Sequence, residues 1–89
     1  MLKIKDNVDL KELEKFDFKP KYDEDTGKIY KYIYEYEFCG TKKITIEIRK
    51  DFYMQGQYDY IEYWKVELVE FEGIDKLYDL IQAELVKKE

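Results

Sequence analysis

The chain has 89 residues, 42% of them charged and 18% aromatic, with no histidine, one cysteine and one proline. That length supports a single domain over residues 1–89, with no room for a second core, and the missing histidine removes the usual general base and zinc ligand. The net charge of −5 is uneven: residues 1–50 hold 12 Lys/Arg against 11 Asp/Glu, and residues 51–89 hold 4 against 10.

An acidic C-terminal half is expected to repel nucleic acid and attract basic partners. So high a charge fraction fits disorder, but disordered chains lack rings and β-branched residues, and this one is rich in both. No apolar run approaches the ~20 residues that span a bilayer, so no membrane contact is expected. The N-terminal residues carry no signal-peptide pattern, and a lone Cys39 fits a reducing compartment; a cytoplasmic location follows.

Val8-Asp9-Leu10-Lys11-Glu12-Leu13 predicts a helix over about 9–16. Asp9 is its N-cap, Glu12 completes a capping box, and Val8 staples to Leu13. Phe16, Phe18 and Tyr22 alternate around Pro20, which places a short strand at a sheet edge because proline cannot donate to a ladder. Residues 23–28 read as a turn with Gly27 at positive φ.

The next strand, about 28–38, carries Tyr30, Tyr32, Tyr34, Tyr36 and Phe38 at strict period two, all on one face. A strand over about 43–50 follows, with Ile44, Ile46 and Ile48 in phase. A two-residue Gly40-Thr41 turn would set these rings against polar side chains. Pairing Phe38 with Ile44, Tyr36 with Ile46 and Tyr34 with Ile48 instead predicts a loop of three or five residues with a left-handed Gly40. Residues 51–59 read as a longer loop. A fourth strand spans about 60–69, Gly73 stops it, and Asp75 caps a final helix with Leu77, Tyr78 and Ile81 on its buried side.

The predicted fold is α+β, a four-stranded antiparallel meander flanked by a short N-terminal and a longer C-terminal helix in the order α-β-β-β-β-α. Its core is expected to gather Tyr34, Tyr36, Phe38, Ile44, Ile46, Trp64, Val66, Leu77 and Ile81. Ile29, Ile33, Ile61 and Tyr63 then fall on the opposite, exposed face, a candidate surface for a homodimer.

Chemistry-bearing motifs are few. Asp23-x-Asp25-x-Gly27 has the opening of a calcium loop, but the glycine is one position early and Tyr34 stands where the closing Glu belongs. Cys39 lacks a histidine partner and reads as a plain small residue. The tyrosine stripe would suit base stacking only beside a basic groove, so it is assigned to the core. Composition therefore predicts no enzyme, no metal and no cofactor. The acidic half offers carboxylates mixed with rings: Tyr58, Asp59, Tyr60, Glu62, Tyr63, Glu67, Glu70 and Glu72 form the candidate partner-binding set, tyrosine giving both area and a hydrogen bond.

Two segments, Lys3 to Phe16 (KIKDNVDLKELEKF) and Leu77 to Lys88 (LYDLIQAELVKK), resemble small uncharacterised proteins from phages and prophages of Gram-positive bacteria. Related chains carry glycine where this one has Asp17 and Glu84. If Glu84 replaces a C-cap glycine, the last helix ends near Ala83, with Leu85 and Val86 packing beyond it. The resemblance implies a setting in the host cytosol. Small acidic phage proteins often bind and disable a host protein, so the expected function is a non-enzymatic inhibitor of a basic, nucleic-acid-binding defence factor such as a CRISPR effector. No direct contact with nucleic acid is expected. The alternative is a self-associating structural or assembly protein that uses the outer sheet face.

Overall fold

A computed structural model describes residues 1–88. In chain order they form β1 (Leu2–Ile4), a 3₁₀ helix (Leu10–Phe16), β2 (Lys19–Tyr22), β3 (Ile29–Phe38), β4 (Thr41–Met54), β5 (Tyr60–Leu68), a 3₁₀ turn (Phe71–Gly73), α1 (Ile74–Gln82) and β6 (Val86–Lys88). All strands join one antiparallel sheet in the order β2-β3-β4-β5-β1-β6. The α+β class holds, with six strands in place of the expected four. The two additional strands, β1 and β6, have three residues each, too few to show a periodicity, and exist because β1 pairs with both β5 and β6.

Cross-strand partners share a face. Tyr32, Ile48, Val66 and Leu2 make one apolar row, and Tyr34, Ile46 and Leu68 the next. Fully buried Leu13 from the 3₁₀ helix and Leu80 from α1 close over these rows, joined by Ile4, Phe18, Leu85 and Val86. Burial raises the Tyr32 phenol above its ordinary value of 10.0, and the Glu14 carboxylate adds to the rise. Both helical elements thus lie on the ring-and-isoleucine face. The molecule measures 49 × 34 × 21 Å. A thickness of 21 Å holds a sheet and one helical layer, since a helix with side chains is about 10–12 Å across.

Local chemistry explains several boundaries. Asp9 caps the first helix, its Oδ1 accepting from the Lys11 N–H at 3.0 Å, but Glu12 turns to Lys15 at 3.1 Å, so the reciprocal half of the capping box is not made. Pro20 lies in the edge strand β2, as expected. Asp23 Oδ1 accepts from the Asp25 N–H at 2.8 Å and Gly27 takes φ 70°, closing the hairpin turn.

Between β3 and β4 the turn is two residues, Cys39 and Gly40, with φ 51° and 78°. Positive φ at both central residues is the twist that suits a hairpin. The loop of three or five residues is therefore corrected. The ring–isoleucine match arises by another device: a bulge at Thr45 shifts the register, so Tyr34 faces Ile46 and Tyr32 faces Ile48. Thr45 is fully buried; its hydroxyl donates to the Tyr34 carbonyl at 3.2 Å and its own carbonyl accepts from the Val69 N–H at 2.8 Å.

The bulge revises the core. Ile44 pairs with Glu35 and moves to the opposite face. Tyr36 and Phe38 run past the helical cover, and Phe38 is 62% exposed. Ile81 is 44% exposed, because α1 turns Leu77 and Leu80 inward instead. Ile29 packs against the core after a second bulge between β2 and β3. β4 continues to Met54, so the expected loop over 51–59 shrinks to residues 55–59.

Candidate functional site

The β4–β5 hairpin extends beyond the helical layer and ends in rings. Phe52 pairs with Glu62 and Met54 with Tyr60, and the Gln55 N–H donates to the Asp59 carbonyl at 2.9 Å to close the loop. Strand alternation continues here with no helix to cover it, so Phe52, Met54 and Tyr60 are each more than half exposed and Tyr58 is 83% exposed. Asp51, Asp59 and Glu62 are the charges in residues 51–64, which contain no lysine or arginine. At the base, Lys50 Nζ lies 2.9 Å from Glu62 and 5.4 Å from the Trp64 ring centre. The hairpin end is thus an acidic, aromatic surface with its anchor residues held in register by the sheet.

The eight residues expected to bind a partner do not share one surface. Tyr58, Asp59, Tyr60 and Glu62 gather at the hairpin end. Tyr63 lies on the opposite face, 8% exposed, with its hydroxyl 3.4 Å from Asp51 and its ring against Tyr53 at 5.6 Å. Glu67 is on that same face, its Oε2 3.0 Å from Arg49 Nη2. The contact is an ion pair and not an aligned hydrogen bond, for that oxygen is buried and accepts none. Glu70 precedes the 3₁₀ turn and Glu72 lies within it, past the far end of β5, which is about 26 Å long at strand rise.

The residues expected to support self-association are also redistributed. Ile29 turns to the core, Ile33 is 1% exposed, and Tyr63 is buried, which corrects the exposure expected of them; Ile61 is half-buried. Ile33 sits between Lys19 and Glu47, whose long stems shield it.

A second exposed surface was missed in the sequence. Phe71, Ile74, Tyr78 and Ile81 are all exposed, at spacings of three, four and three, which is one helix stripe. Glu70, Glu72, Asp75 and Asp79 border it. The signal was available: residues 71–81 hold more apolar positions than one buried face can use.

Two shallow recesses indent the surface, one of about 220 Å³ between Val8, Leu10 and Trp64, the other of about 250 Å³ between Lys19, Glu35 and Lys42. Ligand pockets usually measure about 300–1,000 Å³, so protruding surfaces are the stronger candidates. Among the described residues no cluster of three His, Cys, Asp or Glu side chains could hold a metal, and no helix is long and apolar enough to cross a membrane. No protein-family model, no curated protein and no solved structure matches the chain.

Proposed function

We propose that the protein is a non-enzymatic binding module that grips a basic protein partner through the acidic, aromatic end of the β4–β5 hairpin. The observation that carries this reading is the exposure of Phe52, Met54, Tyr58 and Tyr60 together beside Asp59 and Glu62, with Lys50 on Glu62 as the cation at the base. Isolated exposed rings are ordinary, whereas clustered ones mark contact sites. Tyrosine is enriched among the few interface residues that dominate affinity. Fringing carboxylates would speed encounter with a basic surface and reject acidic ones. The resemblance to phage and prophage proteins suggests the partner's class, a nucleic-acid-binding defence factor of the host such as a CRISPR effector, and the role, an inhibitor.

The test is affinity capture from a Gram-positive bacterial lysate, run with wild type and with a Tyr58→Ala/Tyr60→Ala variant of equal melting temperature. A basic nucleic-acid-binding protein retained by wild type should bind the variant about 30-fold more weakly, the equivalent of about 2 kcal/mol for a hot-spot pair. Its association should slow as salt rises. Identical capture by both proteins would remove the hairpin from the function.

A further inference from the structure

The sheet face opposite the helical elements carries a line of cations that no stretch of sequence displays. Lys21 faces Lys31, Lys31 faces Arg49, Arg49 faces Lys65, Lys65 faces Lys3, and Lys3 faces Lys87. Six cations, one from each strand, thus form a row across the whole sheet. Like charges directly opposite each other on neighbouring strands destabilise a sheet, and here five such pairs follow in succession.

Compensation is partial. Glu47 lies 3.5 Å from Lys31 and 3.8 Å from Arg49, and Glu67 is 3.0 Å from Arg49. Lys3 is 3% exposed with Asp6 at 3.8 Å, so it adds field and not contact. Lys21, Lys31, Arg49 and Lys65 reach solvent, and neither Lys21 nor Lys65 has a carboxylate within ion-pair distance among the described residues.

We propose that this row is a docking surface for the sugar–phosphate backbone of duplex nucleic acid. Three inter-strand steps of about 4.8 Å separate Lys21 from Lys65, so the solvent-reaching part of the row is about 14 Å long. That matches the rise of about four nucleotides of one duplex strand at about 3.4 Å each. A single strand would call for exposed rings on which bases stack. Tyr63, beside the row, is buried against Tyr53 and Asp51, and Tyr30, exposed with its ring centre 5.8 Å from Lys31 Nζ, is one ring and not a run of stacking platforms. Backbone contact without stacking is the remaining mode, and it is independent of base sequence. The net charge of −5 hides the row because the fold sorts charge by sheet face and not by position along the chain. The surface is separate from the hairpin end, so it holds or fails apart from the protein-binding reading.

The experiment measures fluorescence anisotropy of a labelled mixed-sequence 20-base-pair DNA duplex with the full chain, from 50 to 200 mM salt. Four phosphate contacts predict a log–log salt slope of about −3.6, a loss of roughly 150-fold across that range. A Lys21→Gln/Lys31→Gln/Lys65→Gln variant should flatten the slope to about −1 and weaken binding at 50 mM at least about tenfold. A Lys11→Gln/Lys15→Gln/Lys28→Gln variant changes net charge equally but lies off the row, and should bind within about twofold of wild type. Removing like-charged neighbours should leave the melting temperature of the row variant at or above that of wild type. If the triple variant unfolds, Lys65→Gln alone should reduce the slope by about 0.9. Absence of duplex binding at 50 mM, equal loss in both triple variants, or tighter binding of the single strand or of polyglutamate would overturn the proposal.

Discussion

Asp17, Cys39 and Glu84 hold φ of 69°, 51° and 60°, a region where a Cβ crowds the following carbonyl. Each ends or joins an element that the core needs. At the end of α1 the Glu84 N–H donates to the Ile81 carbonyl at 3.0 Å and the Leu85 N–H to the Leu80 carbonyl at 3.1 Å. This left-handed turn sends Leu85 and Val86 back into the core. Glu84→Gly should therefore stabilise the fold by about 0.5–1 kcal/mol, the left-handed penalty removed less the added chain entropy. A thermal melt should shift upward by about 2–8 °C. A fall would show that the exposed carboxylate makes a contribution its surroundings do not explain. Asp17 and Glu84 follow helical segments, where a left-handed cap is a common ending, and α1 ends at Gln82 with Ala83 as its cap. Cys39 gave no such signal. Cysteine at the first position of a tight hairpin turn lacks the Asn or Asp mark that makes such turns readable, so burial alone favoured a loop of three or five residues over the two-residue turn.

Gly73 shows how much of an element's position depends on a neighbour distant in sequence. A Cβ there would lie 2.9 Å from Ile46 Cγ1, 3.0 Å from Leu68 Cδ1 and 3.1 Å from Thr45 Cβ. The 3₁₀ turn thus seats its backbone directly on the β4 bulge. Gly73→Ala should cost about 1–3 kcal/mol by overpacking, readable as a lowered urea midpoint with unchanged slope. Gly56→Ala, with only Asp59 Oδ2 at 3.8 Å, is the control and should be nearly neutral. Equal midpoints for the two would mean that the turn does not rest on the bulge. The sequence identified the need to set rings against isoleucines but placed the strand's stop at Gly73, whereas β5 ends at Leu68 and Gly73 leads into α1. It could not identify Thr45 as the bulged residue, because alternation at Ile44, Ile46 and Ile48 is unbroken. The same limit applies to α1: its apolar residues fit two faces, and only contact with the sheet decides that Leu80 goes in and Ile81 out. Of the candidate site, Tyr58 to Glu62 was legible as a local mixture of rings and acids. The cationic row was not, since it needs the register of five strand pairings.

At the scale of the whole molecule, topology divides the sheet into parts of unequal range. β2, β3, β4 and β5 pair consecutively through short connections, so their ladders close small loops. β1 pairs instead with β5, more than fifty residues away, and with β6 near the other end of the chain. Contacts of that separation carry more loop-closure entropy, and these strands are only three residues long. Ile4 and Val86 face one another in this pairing, both buried, and the Lys5 N–H donates to the Leu85 carbonyl at 2.9 Å. Since Leu85 and Leu80 share the core with Ile4, β1, α1 and β6 should open as one unit below the global unfolding free energy, while the central ladder of β3, β4 and β5 stays closed. Native-state hydrogen exchange on wild type and Ile4→Ala would check this. The substitution should cost about 2–4 kcal/mol. It should speed exchange at β1, α1 and β6 together, at denaturant concentrations where the amides of Ile46 and Ile48 remain protected. Exchange of all six strands at a single rate in both proteins would instead make the sheet one cooperative unit. Lys3 and Lys87 would then remain in the cationic row whenever the fold is intact, rather than leaving it whenever β1 and β6 open.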